Sequence, residues 1–241
     1  MVRRADEPRP LIWRGASKID FMAFPSTAQR EMGYALFLAQ MGERHSTMAK
    51  TLSGFGGAAV IELKESHDDN AYRAVYTVRY ANAIYVLHAF QKKSKKGIGT
   101  PKTEIDQGRN RLDRETSERS DQGEGRTTMT RTPAAKDPTR NVWLQLGLPD
   151  AEEHFLKAEL VLRLDKAIAS LSLTQRAAAR RIGTTQPELS KILGGKFSEV
   201  SLERLMRFLT ALGCHIEIKI GAGQENKAGE VTIKDVRRTA A

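Results

Sequence analysis

From position 26 to 41 the apolar residues Met32, Leu36 and Ala39, with Ala35 and Leu38 beside them, recur at helical spacing and predict a helix capped by Ser26. Before it, 10–13 (Pro-Leu-Ile-Trp) predicts a short strand, and Ser17 opens a short helix that Pro25 ends. Gly54, Gly56 and Gly57 mark a tight turn. Three β-rich runs follow at 59–64, 72–80 and 83–90, with His67, Asp68, Asp69, Asn70 and Asn82 supplying turn chemistry between them. Tyr72, Ala74, Tyr76 and Val78 alternate, with Val75 and Thr77 as a partly offset set. Short connections imply an antiparallel sheet, and helices that come first are expected to cover one face, an α+β arrangement.

The second half reads differently. Pro149 and Asp150 open a helix through about Ser170, with acidic residues in its first turn, where the helix dipole favours them. Helices follow at 174–182, 186–193 and 201–212, and Gly213 stops the last. Ile216, Ile218 and Ile220 alternate with Glu217 and Lys219, which predicts a short C-terminal strand, and 231–236 offers a second strand to pair with it. Between the halves, residues 106–141 hold only two large apolar side chains, Leu112 and Met129. Such a stretch buries too little surface to offset its backbone entropy and is expected to be a disordered linker. The expected division is 1–106, an α+β domain; 107–140, the linker; 141–220, an all-α domain with a short strand; and 221–241, a tail.

The most specific local chemistry lies at 173–193. Thr174 can cap one helix, Ala177, Ala178 and Ala179 give small packing positions, and Gly183 takes a turn. Pro187 fits the first turn of a second helix, whose Leu189, Ile192 and Leu193 face a core. This is the pattern of a helix-turn-helix, with Thr185, Gln186, Ser190 and Lys191 facing outward as base- or phosphate-reaching groups. Gln175 and Lys196 fall where phosphate contacts are made. The bland alternative is a helical hairpin with a solvated polar face.

Charge sharpens the picture. The chain has 39 basic and 29 acidic residues, a formal net charge of +10, with 18 basic and 11 acidic residues in 1–112. Such a balance points toward nucleic acid or another anionic surface. The single cysteine, Cys214, excludes an intramolecular disulfide framework and argues against a Cys-based zinc site, and His45 and His67 lack partner spacing, so neither a metal nor a cofactor is expected. No apolar run approaches a membrane span and the N-terminus has no apolar signal core, so a soluble cytoplasmic protein is expected. An aromatic content of 6% gives little support to base-stacking platforms of a purely structural RNA binder.

Residues 141–220, through Gly147-Leu148-Pro149-Asp150, the Leu173-Thr174-Gln175 run, Gln186-Pro187-Glu188-Leu189-Ser190 and Leu205-Met206-Arg207-Phe208-Leu209, resemble an antitoxin of the HigA/Xre type with a Cro/C1-like helix-turn-helix. The resemblance implies a homodimer through this domain that binds pseudo-palindromic operator DNA and represses its own operon. Residues 9–105 resemble a RelE/HigB-type toxin of the phage-derived Gp49-like group. The matching pieces include Arg9-Pro10-Leu11-Ile12-Trp13, Tyr72-Arg73-Ala74-Val75-Tyr76 and Tyr85-Val86-Leu87-His88-Ala89-Phe90-Gln91-Lys92-Lys93. That resemblance implies cleavage of mRNA on the ribosome. Lys64, Arg73, Lys92 and Lys93 can converge on one sheet face, where a cation-rich site suits metal-independent RNA cleavage. The resemblance makes Arg73 the phosphate clamp, Lys64 a general base, and Lys92 or Lys93 a stabilising cation or proton donor; the alternative is solvated strand-end charge. His88 reads as a strand-face core residue. In the group a last helix with spaced apolar residues follows; here that spacing fades after Asp106, and the helix is expected to be short or missing.

Met129 begins a segment like the start of a free-standing antitoxin, so the chain reads as two neighbouring reading frames fused, with Met129 an internal start. The acidic stretch 150–165, with five acidic and two basic residues, is the expected contact with the basic first unit, through Glu152 and Glu153. Two functions follow: a DNA-binding autorepressor that neutralises a tethered mRNA-interferase-like domain, or an active ribosome-dependent mRNA endonuclease with its inhibitor in cis.

Overall fold

The computed structural model describes residues 7–53, 55, 59–92, 102–121, 136–221, 229 and 231–235. The first unit runs β1 (Leu11–Trp13), α1 (Ser17–Met22), α2 (Ser26–Met41), β2 (Ala49–Thr51), β3 (Val60–His67), β4 (Asn70–Thr77), β5 (Ile84–Lys92) and α3 (Lys102–Asp121). Its five strands form one sheet in the order β1-β5-β4-β3-β2. The ladders β2/β3, β3/β4 and β4/β5 are antiparallel, as short connections require. β1 alone runs parallel, to β5, because α1 and α2 intervene and allow a crossover. Asp68 (φ 48°) and Asp69 (φ 60°) turn the β3/β4 hairpin in the left-handed region, where a short polar side chain is tolerated.

The sheet is covered on both faces, which is why alternation along β4 is only partial. Ile61, Leu63, Tyr72, Ala74, Tyr76, Ile84 and Val86 join the core with α2. Val60, Val75, Tyr85 and Leu87 pack with Phe55 and with Leu112 of α3. The helix expected to be short or missing is thus 20 residues long, and the boundary expected at 106 falls inside it. Its inward positions are Ile105, Gly108 and Leu112, at i, i+3 and i+7. A Cβ on Gly108 would lie 3.8 Å from the Phe55 ring and 3.9 Å from Val75 Cγ1. The helix therefore approaches the sheet through a glycine, which erased the apolar signal that should announce it. The expected linker residues 122–135, with Met129, lie outside the described residues, as do 93–100.

The second unit runs α4 (Val142–Gln145), α5 (Ala151–Ser170), α6 (Gln175–Arg181), α7 (Gln186–Leu193) and α8 (Leu202–Ala211). Four side chains cap these helices: Asn141 accepts from Trp143 N and Leu144 N, Thr174 from Ala177 N, Thr185 from Glu188 N, and Ser201 from Arg204 N. Gly183 (φ 72°) takes the turn between α6 and α7. The run 216–220, expected as a strand, has no strand partner among the described residues, nor has 231–235.

The two units share one core. α2 is apolar around most of its circumference because it is buried on two sides, by the sheet and by the second unit. Trp143 is fully buried at Gly33, where an added Cβ would stand 2.7 Å from Trp143 Nε1, and this nitrogen donates to Arg30 O at 3.3 Å. Phe37 packs on Phe155 and Tyr34 on Phe197, with centroids 5.4 and 5.1 Å apart. Thr139, before α4, and Gln145, at its end, line the β1 edge: Leu11 N donates to Thr139 O at 2.7 Å, Gln145 Nε2 to Leu11 O at 3.0 Å, and Trp13 Nε1 to Gln145 Oε1.

Candidate functional site

Two surfaces carry polar chemistry. The first is the sheet face beneath α3. Register sets Lys64 opposite Arg73 and Arg73 opposite Phe90; the next row is Glu62, Val75 and His88. Lys92 sits opposite Ala71, two positions from Arg73, so Lys64, Arg73 and Lys92 occupy one face. Lys93 lies outside the described residues.

These cations are engaged within the protein. Arg73 is 5% exposed and its Nη1 donates to Glu62 Oε1 at 2.6 Å. Lys64 Nζ, on a side chain 34% exposed, lies 3.4 Å from the other oxygen of Glu62. One buried carboxylate thus answers two cations of the expected catalytic set. The expected cation-rich set did not include Glu62; the i, i+2 spacing of Glu62 and Lys64 on a strand was the available signal.

His88 is a second surprise. Arg111 Nη1 reaches His88 Nδ1 at 3.1 Å and donates to Leu87 O at 2.7 Å. An arginine cannot accept, so Nδ1 is the acceptor and Nε2–H donates to Glu104 Oε2. The neutral imidazole is locked in one tautomer between two α3 side chains. It is buried, as expected of a strand-face residue, yet it is a polar centre rather than an apolar one.

The second surface is the α6–α7 face. Gln175, Thr185, Gln186, Ser190, Lys191 and Lys196 are all exposed. Gln186 Nε2 donates to Gln175 Oε1 at 3.2 Å, which aligns the first residues of both helices and leaves the Gln175 amide N–H groups to project outward. Gln186 and Ser190 stand one turn apart on a single stripe. Two of the expected contacts also have partners within the protein. The Thr185 hydroxyl accepts the Glu188 N–H at 3.3 Å and caps α7. Lys196 Nζ lies 3.3 Å from Glu31 Oε2 of the first unit, so its charge braces the two units. Glu188 hydrogen-bonds Thr184 Oγ1 at 2.5 Å and pairs with Arg204 at 2.8 Å; these partners hold its carboxyl below the usual range and pin α7 to α8.

The junction also departs from expectation. Glu152 and Glu153 pair inside the second unit, with Lys136 and Lys157. The cross-unit acid is Asp150, 2.8 Å from Arg30. Burial opposes ionisation there, but the Arg30 hydrogen bond and charge outweigh it and the carboxyl titrates below its ordinary value. Other cross-unit links are Lys166–Glu43 at 3.1 Å and His45 Nε2 to Gly194 O at 3.3 Å. His154 lies between the rings of Trp143 and Phe197, and neither of its nitrogens has a hydrogen-bond partner among the described residues. Burial pushes it down to about 4. Among the described residues no group of three or more His, Cys, Asp or Glu could hold a metal ion, and no helix is long and apolar enough to cross a membrane.

The architecture is that of a sheet domain joined to a helix-turn-helix domain, and comparison with known families names both halves. Residues 19–113 match the phage-derived Gp49-like protein family, and residues 142–221 match a helix-turn-helix domain family. A solved chain described as an XRE family transcriptional regulator is 36% identical over 36% of this chain and all of its own length, with a TM-score of 0.34. No curated protein matches. The chain is a fusion of a Gp49-like, toxin-type domain with a helix-turn-helix DNA-binding domain.

Proposed function

We propose that this protein is a sequence-specific DNA-binding autorepressor whose helix-turn-helix unit holds a tethered mRNA-interferase-like domain silent. The observation that carries the reading is the contrast in access. Gln175, Gln186, Ser190 and Lys191 face solvent on a capped, braced pair of helices, while Arg73 is closed by Glu62 and His88 by α3. On DNA, Gln186 suits a bidentate pairing with adenine, Ser190 reaches a base edge or phosphate, and Lys191 and Gln175 suit phosphates. Two such units on a pseudo-palindromic operator would read half-sites about one helical turn apart.

The test is a mobility shift of the full chain on duplex DNA taken from immediately upstream of its own coding sequence, against a scrambled duplex. Gln186→Ala should lower affinity for the upstream duplex about 5- to 100-fold and leave the weak binding to scrambled DNA nearly unchanged. Equal binding of both duplexes by the unsubstituted chain would end the repressor reading.

The row Lys64, Arg73, Lys92 and His88 on one face also supports the second reading, an active ribosome-dependent mRNA endonuclease with its inhibitor in cis. Glu62 and Arg73 then form a preset pair that opens when phosphate replaces the carboxylate. Induction of residues 1–128, soluble and with the full chain's strand signal, tests for nuclease activity: growth arrest relieved by Arg73→Ala supports an active nuclease domain, and unimpaired growth leaves DNA binding as the function to pursue.

A further inference from the structure

The seam between the two units closes over two buried histidines, His45 from the first unit and His154 from α5 of the second. At His45 the backbone N–H groups of Met48 and Thr47 reach Nδ1 at 3.1 and 3.3 Å, and Nε2 lies 3.3 Å from the Gly194 carbonyl of the second unit. A backbone N–H only donates and a carbonyl only accepts, so Nδ1 carries no proton and Nε2–H donates across the seam. A second proton, on Nδ1, would face two donors and break both of their bonds. Gly194 and Gly195 follow α7 directly, and a Cβ on Gly195 would stand 3.1 Å from Tyr34 Cδ1, so this contact seats the end of α7 on α2. His154 is held neutral in another way. Its ring stacks on Phe197 at 4.9 Å and meets Trp143 edge-on at 4.8 Å, and the first unit covers both rings, Trp143 with Gly33 and Phe37, Phe197 with Tyr34. An imidazolium there would bury two donors with no acceptor among the described residues.

The charges around the two rings do not offset this. Burial holds His45 below its ordinary value, against the Gly194 carbonyl and Asp165 of α5, which favour a proton. Burial likewise pushes His154 down to about 4; Asp150 and Glu153 favour its proton, and Arg30 of α2 and Lys157 oppose it. Two carboxyls act in the other direction. Asp165 lies above its ordinary value through burial and Glu43, despite His45 and Lys166, and Glu65 does so through burial and its neighbour Glu31, despite Lys196. Acid neutralises these two and favours the closed seam, so they oppose the histidines.

We propose that His45 and His154 form a proton-sensitive catch: as neutral imidazoles they hold the two units closed, and taking up protons loosens the seam before either unit unfolds. The catch goes beyond the DNA-binding reading and does not rest on it. When the seam parts, water reaches both rings, and each titrates near the ordinary value of about 6.5. The parted state binds protons that the closed state refuses, so opening is favoured as pH falls from about 6.5 toward about 4. With closed His154 at about 4, the opening constant should rise on the order of 100-fold between pH 7 and about pH 4.5. Asp150, held below its ordinary value, still pairs with Arg30 there.

The chain's two tryptophans report the seam, because each indole N–H donates across it, Trp143 to Arg30 O and Trp13 to Gln145 Oε1. Their hydrogen-exchange rates in the full chain, read by NMR and divided by the rate of a free indole at the same pH, give the opening constant. Backbone amides of the β3/β4 ladder report whole unfolding of the first unit. From pH 7 to about pH 4.5 the indole constant should rise on the order of 100-fold and exceed the ladder constant at least about tenfold. His154→Phe should remove most of the rise. His45→Asn keeps an acceptor for the Met48 N–H but binds no proton, and should lower the rise by a smaller factor. The double variant should hold the indole constant within about threefold across the same range. Indole and ladder constants that stay equal in acid would mean that the protein unfolds whole, and would overturn the proposal. So would an unchanged rise in the double variant. Where His154→Phe fails to fold, the wild-type comparison and His45→Asn decide. No nucleic acid is present, so loss of the catch leaves the repressor reading standing.

Discussion

The sheet face under α3 and the face of α6 and α7 both present cations and hydrogen-bonding groups, yet they spend them in opposite ways. Beneath α3, Glu62 takes Arg73 and Lys64, and Glu104 and Arg111 take both nitrogens of His88. On α6 and α7, the internal bonds include the caps, the Gln175–Gln186 pair, Arg181 to Ala211 O and Glu188 with its partners Thr184 and Arg204, and Ser190 and Lys191 are exposed to solvent. A polar group already satisfied in a buried setting must lose that partner before it can bind a ligand, which costs more than the loss of a solvent contact. The difference teaches that residue type and convergence do not define a site; what each group holds in the resting protein does.

Breaking the docking comes first in size. Trp143→Ala empties a fully buried site between the units and should cost about 3–5 kcal/mol in urea unfolding, with the α6–α7 face losing its support. Next is the closed face. Glu62→Ala leaves Arg73 buried without its carboxylate and should cost about 3 kcal/mol, whereas Lys64→Met, at a partly exposed end of the same pair, should cost under about 1 kcal/mol; equal costs would mean that Arg73 finds water on unfolding of α3 alone.

Acid should act on the junction. Unfolded His154 titrates near its ordinary 6.5 and folded His154 at about 4, so the unfolded chain binds the extra proton between these values. The His154 contribution to stability should therefore fall as pH drops from about 6.5 to about 4, by on the order of 3 kcal/mol, and change no further below. His154→Phe should flatten this part of the curve in urea titrations; an unchanged slope would assign the acid effect elsewhere. Thr185→Ala is smaller: the lost cap should cost about 1 kcal/mol in thermal unfolding, and Thr185→Ser should restore it. Smallest is Lys196→Met, under about 1 kcal/mol for a pair whose lysine is half exposed. If that variant instead weakened binding to upstream DNA strongly, Lys196 would be a phosphate contact after all.

What could be read from the sequence was local. Thr174, Gly183, Thr185 and Pro187 act within four residues of themselves, so the α6–turn–α7 motif and its exposed face were visible in order. The β3–turn–β4 hairpin was visible for the same reason, through Asp68 and Asp69. α3 was hidden because Gly108 stands where an apolar residue would have marked its inner face. The apolar girth of α2 was on view, but its meaning was missed: a helix without a polar face needs two covers, and only the sheet was counted.

The sequence by itself determined the two units, the helix order of the second, the strand order of hairpins in the first, and the exposed polar face of α6 and α7. Tertiary structure alone decided that Trp143 enters the notch at Gly33, that Glu62 reaches Arg73 while Glu104 and Arg111 hold His88, and that Asp150 rather than Glu152 or Glu153 crosses to the first unit. The physical reason is range. Caps and turns are satisfied by neighbours along the chain, whereas a buried charge or an emptied notch finds its partner across a strand register or more than a hundred residues away, where periodicity carries no trace of it.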